Sequence, residues 1–168
     1  TITDGYKAYE VTEKDKPKNE QDYAYVDGTV VHWRPGQTKV EGTLLNDGEA
    51  APAGAVIPDV AGGDDMTRAR HRIAAGADAV TFSDDKHPLS SDRGSLRWKD
   101  PKFKHSTAWF ETATGADINS EEFKDGYTVE AFLKLDEAWN ADNNKWSNAL
   151  IRDASGTITH PENEDGDP

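Results

Sequence analysis

Two of the five tryptophans in this 168-residue chain frame a short polar segment with the composition of a sugar-binding loop. Tryptophan rings stack on the apolar faces of sugars, while carboxylate and amide side chains hydrogen-bond to the hydroxyls. The segment therefore predicts a ligand site made by Trp139, Asn140, Asp142, Asn143 and Trp146. The alternative is that both indoles close over the edge of a β-sandwich and bind nothing.

Catalytic patterns are weak in this sequence. The five histidines are far apart, and neither an HExxH motif nor an HxH pair occurs. The succession D-x-H, G-D-x-x-D and G-N-H-D/E, which marks dinuclear phosphoesterases, is also missing as a set. Ser90 and Ser91 lie close in sequence to His87 and Asp85, but no G-x-S-x-G elbow surrounds them. The chain alone is therefore not expected to be an enzyme, although a parent protein could be a metal-dependent phosphoesterase.

A glycoside hydrolase would need two carboxyl groups that flank the scissile bond. Glu130 is followed on its own face by Lys134 rather than by a second acid, and Glu111 is the one partner considered on another strand. We therefore rank glycosidase activity below a binding function.

Charge and composition restrict the partners. Thirty-two acidic and 19 basic residues give a net charge of −13, which argues against nucleic acid and against anionic membrane surfaces. The chain has no cysteine, so a disulfide, a thiolate zinc site and a cysteine nucleophile are excluded. No apolar run approaches the ~18 residues that a membrane-spanning helix needs, so membrane insertion is not expected.

Short runs of β-branched and aromatic residues, separated by Gly, Pro, Asn and Asp, predict eight or more short strands and no long helix. The clearest run is 127–135, which should bury one face in a sheet. That face consists of Tyr127, Val129, Ala131, Leu133 and Leu135, and the other face consists of Thr128, Glu130, Phe132 and Lys134. One helical turn is expected near 119–123. The other predicted strands or extended pieces are 29–34, 40–45, 56–60, 66–73, 79–82, 95–98, 108–112 and 149–152. This pattern is typical of an all-β sandwich or jelly roll.

Three blocks of the sequence resemble the laminin-G-like, concanavalin A-like jelly-roll family. They are GSLRW at 94–98, AWFET at 108–112 and FKDGYTVEAFLKL at 123–135. A weaker similarity is the turn at 56–65, and the whole resemblance covers about 55–153. It implies a concanavalin A-like jelly-roll sandwich of two antiparallel sheets.

A narrower resemblance involves FSDDKHPLSS at 82–91, which is similar to the version of this domain in exported actinobacterial proteins. There the domain accompanies a calcineurin-like metallophosphoesterase domain. The resemblance implies a non-catalytic, secreted accessory module that binds carbohydrate or a partner protein. The alternative is a structural subunit, or a processed N-terminal piece, of a secreted metallophosphoesterase.

Laminin-G-like domains often hold Ca²⁺ through loop oxygens, because hard cations prefer oxygen ligands. The resemblance therefore implies a calcium site at Asp59, Asp64 and Asp65. A second set of candidate oxygen ligands consists of Asp136, Asn140, Asp142 and Asn143. The alternative for all of them is a surface role in Asx turns.

The domain organisation predicted from the sequence is an N-terminal arm over 1–21, a jelly-roll domain over 22–160 and an acidic tail over 161–168. Family members usually continue for several strands beyond the segment that matches 149–152. We therefore expect the sandwich to be incomplete, with a second polypeptide that completes it and covers its open face.

Overall fold

The computed structural model describes residues 26–69, 77–99, 108–135 and 150. The chain divides into two compact units, Thr1–Ala113 and Thr114–Pro168. In the described residues the secondary structure is mostly antiparallel β, and the one α-helix is the single turn α1 (Asp117–Ser120). The expected all-β class is therefore confirmed at this coarse level.

The first unit contains a five-stranded antiparallel sheet. Its strands are β1 (Lys39–Val40), β2 (Thr43–Leu44), β3 (Val56–Ile57), β4 (Met66–Arg68) and β7 (Phe110–Thr112). Their order across the sheet is β2-β1-β3-β4-β7. Met66 in β4 pairs with Ile57 on one side and with Thr112 on the other.

A two-residue hairpin joins β1 to β2. Both of its central residues have positive φ, 48° at Glu41 and 81° at Gly42. Positive φ at both positions is the signature of the type I′ turn, whose twist matches that of paired strands. The turn therefore fixes the register in which Val40 faces Thr43.

A second sheet has two strands, β5 (Val80–Ser83) and β6 (Ser95–Trp98), with Phe82 opposite Leu96. Val80 and Phe82 alternate with half-buried residues and point into the core, as a period of two requires. The buried core cluster is Leu45, Ala51, Ala55, Val80 and Phe82, with Val40, Leu96, Ala108 and Phe110 packed against it. Side chains from both sheets therefore share one core.

Several predicted strands are confirmed, three of them (β3, β4 and β7) in shorter form. They correspond to β3, β4, β5, β6 and β7. The run 40–45 is a hairpin rather than one strand, because the I′ turn at Glu41 and Gly42 interrupts it. The expected strand 29–34 is reduced to one bridge, between Trp33 and Asp59. The helical turn occurs two residues earlier than expected, at Asp117–Ser120. The strand expected at 149–152, the arm 1–21 and the tail 161–168 lie outside the described residues, apart from Leu150.

The strand expected at 127–135 is wrong for this chain. No helix or strand is assigned there, and Tyr127, Val129 and Leu133 are exposed instead of buried. Alternation of apolar and polar residues describes the two faces of a strand, but a strand also needs a neighbour for its backbone.

Gly94 is buried where the surrounding atoms leave no space for a side chain. A Cβ placed there would lie 2.3 Å from the Ser83 carbonyl oxygen and 2.4 Å from the Phe82 ring. We expect Gly94→Ala to lower the free energy of unfolding by about 2 kcal/mol, because backbone or ring must move to admit a methyl group. Chemical denaturation measures this. Gly115→Ala is the control, since nothing lies within 4 Å of its Cβ position; equal stability of both variants would contradict the packing described here.

Candidate functional site

The carboxylate of Asp59 is the centre of the loop at 59–65. Its Oδ1 accepts the backbone N–H of His32 at 2.7 Å and that of Ala61 at 2.9 Å. Its Oδ2 accepts the N–H groups of Gly62 and Asp64, both at 3.0 Å. Four charge-assisted hydrogen bonds to one buried carboxylate stabilise the conformation of the loop and hold it against the backbone at His32.

Two further contacts close the same loop. Asp65 Oδ1 accepts the Asp59 backbone N–H at 2.8 Å. The Trp33 indole Nε1–H donates to the Asp64 carbonyl oxygen at 2.8 Å, next to the bridge between Trp33 and Asp59. Trp33 thus serves as a half-buried brace, a role that could not be inferred from the sequence because Trp33 and Asp64 are far apart along the chain.

Asp59, Asp64 and Asp65, the predicted calcium ligands, therefore lie in one loop. In the described residues, however, no group of three or more His, Asp or Glu side chains is arranged to hold a metal ion. Both Asp59 oxygens face N–H donors, which a cation would have to displace. Calcium binding by this trio stays a prediction.

A second polar cluster lies around buried Asp92. Its Oδ2 accepts the Gly36 N–H at 2.8 Å, and its Oδ1 accepts the Arg93 N–H at 2.8 Å. The Arg34 Nε lies 3.9 Å from Oδ1, and Arg34 also donates to the Ser91 hydroxyl at 3.0 Å. These contacts join the 3₁₀ turn Pro35–Gln37 to the loop before β6, so they are structural in character.

The Ser90, Ser91 and His87 side chains also serve this loop. Ser90 Oγ accepts the Asp92 N–H at 3.1 Å, and His87 Nδ1 accepts the Leu89 N–H at 3.2 Å. These hydrogen bonds stabilise the backbone of the loop.

Two arginines are placed against the core. Arg93 lies with its guanidinium carbon 4.6 Å from the centre of the Phe82 ring and donates to the Leu45 carbonyl oxygen. Arg68 is buried and donates to the Ala51 carbonyl oxygen. Burial lowers the pKa of Arg68 from its ordinary value, and the charge of Asp78 partly opposes that shift.

Asp78 and Lys99 form an exposed ion pair at 2.6 Å beside β6. The hydrogen bond and the charge of Lys99 lower the pKa of Asp78. A depressed folded-state pKa stabilises the fold above the unfolded pKa, and that contribution is lost as pH falls through the folded pKa.

We expect Lys99→Ala to raise the pKa of Asp78 towards its ordinary value, because the hydrogen bond and the opposite charge are both removed. An NMR titration that follows the Asp78 side chain measures this. Lys124→Ala is the control, since Lys124 is paired with Glu122 at 2.6 Å. An unchanged Asp78 titration in Lys99→Ala would contradict the assignment.

The predicted sugar-binding residues Trp139, Asn140, Asp142, Asn143 and Trp146 lie outside the described residues, as does Asp136. Glu111, considered as a glycosidase acid, accepts the Trp109 Nε1–H at 3.0 Å on β7. Glu130 belongs to the other unit, where it is exposed.

The second unit presents an exposed apolar segment, Tyr127–Leu135. Five of its residues are large, apolar and between 44% and 67% exposed: Tyr127, Val129, Phe132, Leu133 and Leu135. A turn precedes it, in which the Gly126 N–H donates to the Phe123 carbonyl oxygen at 3.1 Å. The rings of Phe123 and Tyr127 lie 5.1 Å apart and fix the start of the segment. Sequence reasoning placed Tyr127, Val129, Leu133 and Leu135 on the buried face of a strand and Phe132 on the opposite face, so the exposure of the first four corrects that prediction.

Comparison with known proteins found no match to a family model, to a curated protein or to a solved structure. Within the described ranges, no helix has the length and apolarity that crossing a bilayer requires.

Proposed function

We propose that this chain is a non-catalytic, all-β accessory module that functions by binding another polypeptide through the apolar segment Tyr127–Leu135. One observation carries the proposal, namely the five large apolar side chains that this segment exposes. Single exposed apolar residues are ordinary on protein surfaces, but a contiguous group marks an interaction site.

The energetic argument favours a polypeptide ligand. Complete burial of one large apolar side chain is worth about 1.5–3 kcal/mol, so covering several of them gives a substantial driving force. Tyr, Thr, Val and Phe are also good strand formers, and the segment alternates apolar with polar residues except at Phe132. Addition of a strand to a sheet gives the backbone N–H and C=O groups hydrogen-bond partners and buries apolar side chains. It is a common mode of peptide recognition.

The jelly-roll resemblance supports the same interpretation. The block at 123–135 is one of the three that carry the resemblance, and it has no strand neighbour in the described residues. On this proposal the segment belongs to a concanavalin A-like sandwich, and it pairs with a strand that another polypeptide supplies. A secreted protein with a metallophosphoesterase domain would be a suitable parent or partner.

Carbohydrate is the second candidate ligand. The observation in its favour is the composition of 139–146, where two tryptophans enclose amide and carboxylate side chains. Binding of the labelled chain to a glycan array, lost in both Trp139→Ala and Trp146→Ala, would support it. Binding that both variants retain would exclude this segment as the sugar site.

The polypeptide proposal predicts a specific pattern on a peptide array. The array carries peptides as long as the segment that alternate apolar and polar residues, with scrambled versions of each. We expect the chain to bind alternating peptides, and the double variant Val129→Asp/Leu133→Asp to bind at least about tenfold more weakly, because charge cannot be buried on the apolar face.

The matched control is Leu89→Asp, which changes a similarly exposed leucine in the other unit. It should bind as the unmodified chain does. Equal binding by all three proteins, or binding to scrambled peptides as strong as to alternating ones, would contradict the proposal.

A further inference from the structure

We infer that the polypeptide bound by the apolar segment is a second copy of this chain, paired as an antiparallel strand about a two-fold axis at Phe132. The inference rests on the proposed function and adds the identity of the partner. It follows from the order of residues along Tyr127–Leu135, all of which the structure leaves outside any strand.

In an antiparallel pair centred on Phe132, the residues on each face of one copy are complementary to those on the same face of the other. On one face Glu130 of each copy lies opposite Lys134 of the other, which makes one ion pair on each side of a Phe132–Phe132 contact. On the other face Val129 lies opposite Leu135, and Ala131 lies opposite Leu133. Opposite charges, aromatic pairs and apolar pairs are the cross-strand neighbours that stabilise sheets.

Neighbouring pairing registers that keep the same residues on each face of the strand pair have less favourable cross-strand charge pairs. A pair centred on Glu130 places this carboxylate opposite itself, and one centred on Val129 places Lys124 opposite Lys134. A pair centred on Leu133 places Glu130 opposite Asp136. Like charges directly opposite each other destabilise a strand pair. Centring on Ala131 avoids repulsion but leaves Glu130 opposite Phe132, without the direct ion pair.

The charges on the polar face of the segment fit a second copy of the chain. Glu130 and Lys134, the two members of the proposed ion pair, are both exposed. A two-fold axis places Glu130 of each copy opposite Lys134 of the other, so both copies contribute the same surface, as an isologous interface requires. An unrelated strand would have to carry the same alternation independently.

The test uses charge reversal in the full chain. Glu130→Lys gives two lysines on the polar face, and Lys134→Glu gives two glutamates, so each variant alone repels its own copy. Sedimentation velocity over a range of concentrations should show self-association of the unmodified chain. Each single variant should associate at least about tenfold more weakly. Far-UV circular dichroism checks that the variants keep the fold.

Mixing the two variants is the decisive step. The lysine introduced at position 130 of one chain then faces the glutamate introduced at position 134 of the other, and the unchanged Lys134 of the first chain faces the unchanged Glu130 of the second. An equimolar mixture should recover association above that of either single variant, and the double variant Glu130→Lys/Lys134→Glu should associate about as well as the unmodified chain. A mixture that stays as weak as the single variants overturns the two-fold register.

A chain that stays monomeric while it binds the alternating peptides overturns the second copy as partner but leaves the proposed function intact. A chain that neither associates nor binds peptides overturns both.

Discussion

Phe82→Ala should lower the free energy of unfolding by about 4 kcal/mol, because it removes a fully buried aromatic side chain and leaves a cavity. Phe82 is the largest buried side chain among the described residues, and it packs with Leu45, Val80 and Ala51 in the core cluster. The substitution also removes the ring on which the Arg93 guanidinium rests.

Denaturant unfolding followed by tryptophan fluorescence measures the loss. Leu89→Ala is the control, since Leu89 is exposed and its truncation should change stability by less than about 0.5 kcal/mol. A loss of unfolding free energy for Phe82→Ala as small as that of the control would contradict the placement of the Phe82 ring in the buried core.

Asp59→Ala should lower the free energy of unfolding by about 3 kcal/mol, since four backbone N–H groups lose the acceptor that this carboxylate provides. Part of that loss is recovered where the freed N–H groups reach water. Asp59→Asn preserves the shape but replaces one acceptor by an NH₂ group that faces N–H donors, so it should also destabilise.

Thermal or denaturant unfolding of both variants, beside Asp27→Ala at an exposed position, measures the role of the carboxylate. Hydrogen exchange should quicken at His32, Ala61, Gly62 and Asp64 in Asp59→Ala. Full stability of Asp59→Asn would contradict the assignment, because it would mean that shape alone organises the loop.

Local patterns predicted much of the first unit. The runs that became β3 to β7 are short, rich in β-branched or aromatic residues and bounded by turn residues, so their strand character follows from neighbours in sequence. The I′ turn at Glu41 and Gly42 was missed because its first residue is a glutamate, which rarely adopts positive φ.

Contacts between residues far apart in sequence could not be predicted. Arg34 and Asp92 are widely separated along the chain, and no spacing rule connects the turn at Pro35–Gln37 to the loop before β6. Asp59 was predicted as a calcium ligand on the resemblance. Its hydrogen bonds to four backbone N–H groups depend on how the loop folds back on His32.

The segment Tyr127–Leu135 shows the limit most clearly. Its alternation separates an apolar from a polar face, but a period of two does not identify the neighbouring strand. The structure leaves the apolar side chains exposed, and the second copy proposed here is one neighbour that the order of Glu130, Phe132 and Lys134 fits.

Hydrogen exchange at the backbone amides of 129–135, measured over a range of chain concentrations, tests most directly whether this segment is an open docking strand. We expect fast exchange in dilute solution and progressive protection as concentration rises, with the protection lost in Glu130→Lys. Protection already complete in the most dilute sample would mean that the segment is buried within its own chain, and fast exchange at every concentration would mean that no second copy pairs with it.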